Sequence, residues 1–174
     1  YKETRTFVQS LALAKAKEVS LKILSEKLTF DRDFGDVTAV LGCDSIFEFE
    51  GEIFGKPIDL NDAFKRLRRL SSNHGFLHTG HALLFKNFDG QDNFDLPNFN
   101  RVFEGVISTR VDFVELNDQE IKDYVNTSES LNCAGGFSLE GKSGMFISKI
   151  DGCYSNVLGL SLPWLRQALI NSQL

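Results

Sequence analysis

Segments of helical period alternate with segments of strand period along the whole of this chain, and no Pro-, Gly- or Ser-rich linker separates them. That alternation confines the chain to an α/β or α+β architecture, with helices laid on a sheet. The strongest strand signal is the apolar run Val37 to Leu41, which breaks at Gly42-Cys43-Asp44-Ser45. A short apolar run without alternation reads as a strand covered on both faces, whose C-terminal end then presents Asp44. With 174 residues, the chain has the size of one domain with a full core, so a single domain over residues 1–174 is expected.

The other elements follow from period and punctuation. Phe7 to Leu24 reads as a helix with a stripe of Phe7, Leu11, Ala14 and Ala16, and with Lys15, Lys17 and Lys22 on its other faces. Ile46 to Phe54 reads as a half-buried hairpin turning near Gly51, with Glu48, Glu50 and Glu52 on one solvated face. Asp59 and Asp62 mark a helix start, and Ala63, Phe64, Leu67 and Leu70 give that helix its apolar side. Phe76 to Phe85 is a second strand with a break at Thr79-Gly80, and residues 87–100 form a surface loop. Val106 to Leu116 is a third strand; Asn117 with Glu120 caps a short helix; Met145 to Ile150 is a fourth strand. Ser161 followed by Leu162-Pro163 opens the last helix, where proline is tolerated in the first turn.

Charge and composition narrow the function classes. The net charge of -5 supplies no global field toward nucleic acid or anionic lipid. The basic run Lys65-Arg66-Leu67-Arg68-Arg69 reads as the outer face of an amphipathic helix. No apolar stretch is long enough to span a bilayer, and none has the layout of a signal peptide, so the expectation is a soluble, cytoplasmic protein without membrane or nucleic-acid partners. Cys43, Cys133 and Cys153 are odd in number and widely spaced, which argues against a zinc or disulfide framework and for small, mostly buried thiols. His74, His78 and His81 lack the spacing of a helical metal pair and read as structural.

Four places carry residues suited to chemistry. Asp44 at a strand end is placed to bind Mg²⁺ or activate a water; read by itself, the turn aspartate capping backbone N–H groups is the favoured reading. Lys56 in Gly55-Lys56-Pro57 offers a point charge for phosphate, or is a solvated turn lysine. Lys15 lies among small residues that leave room for a phosphate, or snorkels to solvent. Glu140, in Cys133-Ala134-Gly135-Gly136-Phe137-Ser138-Leu139-Glu140-Gly141, can accept hydrogen bonds from a base edge, or is a solvated glutamate beside a β-turn.

Taken in order, these segments resemble the Maf family of septum-formation-inhibitor-like proteins. Leu11-Ala12-x-x-Lys15-Ala16 resembles its L-A-x-x-K-A helix; Gly42-Cys43-Asp44-Ser45 its strand-end aspartate motif; Gly55-Lys56-Pro57 its G-K-P loop; Thr79-Gly80 its central T-G strand. Tyr124-Val125 with Asn132 to Phe137 resembles its Y-V…C-A-G-x-F stretch, and Asn156-Val157-x-Gly159-Leu160-Ser161-Leu162 its closing N-V-x-G-L-P-L, with Ser161 in the place of proline. The resemblance implies an elongated mixed sheet with flanking helices and two lobes around a nucleotide cleft. It implies an enzyme that cleaves a nucleoside triphosphate to the monophosphate and pyrophosphate with a divalent cation, Mg²⁺ or Mn²⁺. Asp44 would be the catalytic proton acceptor or the metal ligand, and Lys15, Lys56, Ser45 and Glu140 would bind substrate. A homodimer is carried as an expectation.

Glu140 is the residue that bears on the subgroup. Family members that act on dTTP and UTP typically have glutamine there, and those that act on 7-methyl-GTP have glutamate in a C-A-G-x-F-x-x-E-G setting. Guanine presents N1–H and N2–H₂ as donors, which suit a carboxylate. The family's S-x-S-P-R-R segment and its upstream D-E pair have no counterpart here, so an N-terminal segment before Tyr1 is expected. The alternative reading is a nucleotide-binding regulatory protein linked to cell division, without turnover.

Overall fold

The computed structural model describes residues 2–25, 37–86 and 99–172. Five strands form one sheet: β1 (Ala39–Phe49), β2 (Glu52–Phe54), β3 (His74–Lys86), β4 (Phe99–Phe113) and β5 (Ile147–Asp151), in the order β2-β1-β3-β4-β5. The helices are α1 (Lys2–Leu24), α2 (Leu60–Leu70), α3 (Asp118–Val125), α4 (Tyr154–Val157) and α5 (Leu162–Ser172), with short 3₁₀ turns between Glu129 and Phe146. The expected α/β class and flanking helices stand. The described pairings are antiparallel throughout, where a mixed sheet is expected. The reason is local: β1 turns back into β2 through Glu50-Gly51, both at positive φ, and α2 then returns the chain. β2 and β3 therefore flank β1 running opposite to it.

β1, β3 and β4 are long enough to run through two lobes. At one end α1 lies on the sheet over Val40, Ala82 and Leu84, while Trp164 and Ala168 of α5 pack with Leu83 and Phe85. At the other end α2, α3 and the 3₁₀ turns enclose a phenylalanine-rich core. There Phe47, Phe113 and Phe137 meet edge to face in all three pairs, with centroids 4.9–6.1 Å apart. That geometry sets the positive ring edge against the negative ring face.

α1 starts earlier than the sequence pattern indicates, and its buried stripe is Thr4, Val8, Ala12, Ala16 and Ser20. Phe7 and Ala14, expected inside, are exposed. The sheet explains the choice. A Cβ at Gly42 would meet the Ala12 carbonyl and lie 2.8 Å from Ala16 Cβ, and one at Gly80 would meet the Val8 carbonyl. The helix sits so close to β1 and β3 that only small side chains fit beneath it. Thr79-Gly80, expected as a break, is thus a continuous part of β3 with a flat spot for α1.

The helix starts are as read: Asp59 accepts from Asp62 N at 2.7 Å, and Asn117 with Glu120 forms a complete capping box. β3 and β4 are longer than expected, and residues 142–146, partly assigned to a strand, form a 3₁₀ turn before β5. The loop expected over 87–100 lies outside the described residues, except that its last two positions begin β4. Glu48 departs from the solvated face assigned to it: it is 3% exposed beside His78, while Glu50 and Glu52 both bond Arg69 at 2.9 Å. Cys43, Cys133 and Cys153 are free thiols, each half-buried rather than buried. No helix among the described residues is long and apolar enough to cross a membrane.

Candidate active site

Asp44 and Ser45 sit where the two lobes join. In register Asp44 faces Gly80 and Ser45 faces Thr79 on β3. The pairing with β2 begins only at Phe47, so among the described residues β1 has a neighbour on one side alone at Asp44 and Ser45. Strand pleating sends the two side chains to opposite faces. Asp44 lies on the α1 face, where Lys15 Nζ donates to its Oδ1 at 2.6 Å. Both side chains keep solvent access, at 56% for Lys15 and 24% for Asp44.

Ser45 lies on the other face, on the wall of a hollow of about 190 Å³. Leu77, Phe137, Leu139, Val157 and Leu158 give it apolar walls, and Glu140 stands at its rim, exposed. Cys133 is part of the same lining. Burial pushes the Cys133 thiol up, Glu129 adds to this, and the nearby Lys56 ammonium opposes it. Lys56 itself is not part of that lining, but a Cβ at Gly136 would lie 3.2 Å from Cγ of its neighbour Pro57. Its loop is tied in: the Gly55 carbonyl accepts from Gly135 N at 3.2 Å and from Arg66 Nη1 at 2.9 Å.

Four of the five residues expected from sequence therefore fall into two groups on either side of one strand edge: Lys15 and Asp44 are in contact on one face, and Ser45 and Glu140 line the hollow on the other. Lys56 is not in contact with either pair, although its loop is tied to Gly135. A larger hollow of about 370 Å³, lined by Glu120, Tyr124, Lys142 and Met145 among others, contains none of the five.

Sequence reading singled out Gly135 and Gly136 but missed the side chains that hold the Glu140 loop. Gly135 and Gly136 turn at φ 74 and 80, a region where glycine costs nothing. Tyr124 Oη donates to the Gly136 carbonyl at 3.2 Å, and the Ser143 hydroxyl lies 3.0 Å from Tyr124 Oη. Ser143 Oγ also accepts from Ser138 N at 2.8 Å, and Glu129 Oε2 accepts from Lys142 N at 3.2 Å. Burial pushes the Tyr124 phenol up to about 12, so it remains a donor throughout the neutral range. Single polar residues between glycines carry no pattern that announces such a role; only the short spacing of Ser138, Glu140 and Ser143 hints at it.

No group of three His, Cys, Asp or Glu side chains suited to a metal occurs among the described residues. His78 and His81 point to opposite faces of β3 and are buried, the first bonded to Ser108 Oγ at 2.7 Å, the second accepting from Ser161 N at 2.9 Å.

The family model for Maf-like protein matches residues 1–172. A protein named nucleoside triphosphate pyrophosphatase from Prochlorococcus marinus (strain MIT 9312) is 46% identical over 175 residues, covering 99% of this chain and 84% of the relative. Its namesake in strain NATL2A is 48% identical over 162 residues, covering 93% and 74%. One from Parasynechococcus marenigrum (strain WH8102) is 47% identical over 167 residues, covering 96% and 75%.

Proposed function

Because the chain belongs to the family of Maf-like proteins, we propose that it hydrolyses a nucleoside triphosphate to the monophosphate and pyrophosphate, with 7-methyl-GTP or another modified nucleotide preferred. The observation that carries this reading is the arrangement about β1: a Lys15–Asp44 pair on one face, and an apolar hollow with Glu140 and Ser45 on the other. A nucleoside in the hollow leaves its phosphates to cross the strand edge at Asp44. The names of the relatives support the reaction class.

In this reaction water oxygen bonds to the α-phosphorus, the bond from that phosphorus to the bridging oxygen breaks, and pyrophosphate leaves. Asp44 takes the proton of the attacking water. Lys15 and Lys56 offset the charge that develops on the phosphates and the leaving group. For a divalent cation the donors fit one mode of binding: Asp44 is a single hard carboxylate oxygen donor, and Mg²⁺ is commonly held by one or two carboxylates together with substrate phosphates. Asp44 would hold Mg²⁺ or Mn²⁺ jointly with the nucleotide, and the ion would supply polarisation of the phosphoryl oxygens. Glu140 accepts from N1–H and N2–H₂ of guanine; an N7-methyl group adds positive charge that a carboxylate favours. The cytoplasm is the compartment this reading implies.

The test is release of pyrophosphate by the full-length protein with Mg²⁺ or Mn²⁺ from 7-methyl-GTP, GTP, UTP and dTTP, with Asp44→Ala as control. Turnover led by 7-methyl-GTP and lost in the variant supports the whole reading. Turnover led by UTP or dTTP keeps the reaction and discards the base. Nucleotide binding without turnover moves the protein to the regulatory alternative.

A further inference from the structure

A side chain that reads a base must be held to within about 0.5 Å of its working place. Glu140 is exposed, so that constraint has to come from its loop. Two bonds close the loop on itself: Ser138 N donates to Ser143 Oγ at 2.8 Å, and Gly144 N to the Gly141 carbonyl at 3.0 Å. They fix the shape of the loop, not its place. Two side chains from other segments tie it down. Tyr124 of α3 meets Ser143 at 3.0 Å, and Glu129 Oε2 accepts from Lys142 N at 3.2 Å, just past Glu140.

Glu129 does more than hold a loop. It opens the 3₁₀ turn Glu129–Asn132, which the chain enters through Ser128 at φ 61. Its carbonyl accepts from Cys133 Sγ at 3.6 Å, and Cys133 and Ala134 wall the hollow. One residue therefore meets the wall through its backbone and the rim through its side chain. The contact with the rim is close: a Cβ at Gly141 would collide with Glu129 Oε1. That oxygen is shut off from solvent and makes no hydrogen bond among the described residues. Burying a carboxylate oxygen in this way costs stability, which an apolar residue serving packing alone would avoid.

We propose that Glu129 is a positioning residue for base recognition: its carboxylate sets the span between the wall of the hollow and Glu140, and with it the depth at which the base is read. This rests on the reading above, in which Glu140 accepts from the guanine edge. It also gives glycine at 141 a reason, since a side chain there would push Glu129 off Lys142 N.

The bond can be removed from either side. Glu129→Ala deletes the acceptor. Lys142→Pro deletes the donor: Gly141, at φ -96 and ψ -166, has the extended backbone that a following proline requires, and Lys142 is the first residue of its 3₁₀ turn. Binding calorimetry with guanosine and uridine reads the base preference without turnover. The full-length wild type should prefer guanosine about tenfold, the scale of one hydrogen bond. Each substitution should weaken guanosine about tenfold and leave uridine within about twofold, while Glu129→Gln, which retains an oxygen for Lys142 N, keeps the preference. With GTP the loss should fall on KM and leave kcat. Added to Glu140→Ala, Glu129→Ala should cost nothing further, because it acts through Glu140. A merely structural Glu129 would instead weaken both nucleosides and add to Glu140→Ala. Additive losses, or an intact preference in Glu129→Ala or Lys142→Pro, overturn the proposal. A wild type that prefers guanosine yet releases no pyrophosphate rejects the reaction and keeps the role of Glu129. Equal binding of the two nucleosides by the wild type overturns the base reading and this role together.

Discussion

Asp44 and Ser45 are adjacent on β1 yet serve opposite faces of the sheet, the first meeting Lys15 of α1 at 2.6 Å and the second meeting Thr79 at 2.9 Å beside α4. Two consecutive side chains can thus address the phosphates and the nucleoside of one ligand, provided the ligand crosses an unpaired strand edge. Because β2 begins its pairing at Phe47, that edge is open among the described residues at the position required.

Asp44→Asn should lower kcat by about 10²-fold or more, the usual scale for removing a positioned proton acceptor. Asp44 is part-exposed and holds one ion pair, so the thermal midpoint should stay near that of the wild type. Lys15→Met should also depress turnover, and the double variant should be little worse than Asp44→Asn, since the two act as a unit. Pyrophosphate release with a thermal melt on each protein checks all three statements.

Glu140→Gln exchanges an acceptor-only group for one that both accepts and donates. It should reduce kcat/KM for guanine nucleotides and raise it for UTP or dTTP, moving their ratio by about tenfold or more. Glu140 is exposed and its loop is held by Ser143, Tyr124 and Glu129, so stability should be unaffected. Steady-state kinetics on the four nucleotides read the ratio directly.

The sequence made the placement of elements legible wherever local chemistry decides it. Asp59 and Asn117 cap their helices, Gly51 turns its hairpin, and Pro163 sits in a first turn. It misled where tertiary proximity decides. Phe7 is the larger apolar residue, but Gly42 and Gly80 bring α1 so near the sheet that Ala12 and Ala16 must face it. Glu48 looked like its neighbours Glu50 and Glu52, yet only Glu48 lies under cover beside His78. Asp44, Ser45, Lys15, Lys56 and Glu140 were legible as candidates. What was not legible is which elements cover the two faces and that the strand edge between them is open, because that depends on how α1 packs and on where β2 stops pairing.

Gly80→Ala should destabilise the fold by about 1–3 kcal/mol, the range for overpacking a tight contact. The added methyl meets the backbone of Val8 rather than a flexible side chain, so α1 itself must move. Gly55→Ala, where a Cβ meets nothing within 4 Å, is the matched control and should cost far less. Urea unfolding of both variants compares the midpoints at equal slope. Displacement of α1 also draws Lys15 from Asp44, so Gly80→Ala should lose activity beyond what its folded fraction accounts for.

His81 supplies a pH signature separate from that of the carboxylates. Burial holds its imidazole below the ordinary value of 6.5, and its Nε2 accepts from Ser161 N, a bond that only the form unprotonated at Nε2 can make. Burial likewise holds His78 down. Below about pH 6.5 the unfolded chain therefore binds protons that the folded chain refuses. Stability from these groups is intact above the unfolded pKa and is lost as pH falls toward the lower folded values. The carboxylates of Glu52, Asp62 and Asp112 are held below their ordinary values by arginine partners, and their contribution disappears only in stronger acid. Urea midpoints should thus begin to fall between pH 7 and pH 5.5, before those carboxylates titrate. His81→Asn should lower the midpoint at pH 7.5 and flatten that early fall; an undiminished slope in the variant would remove His81 from the account.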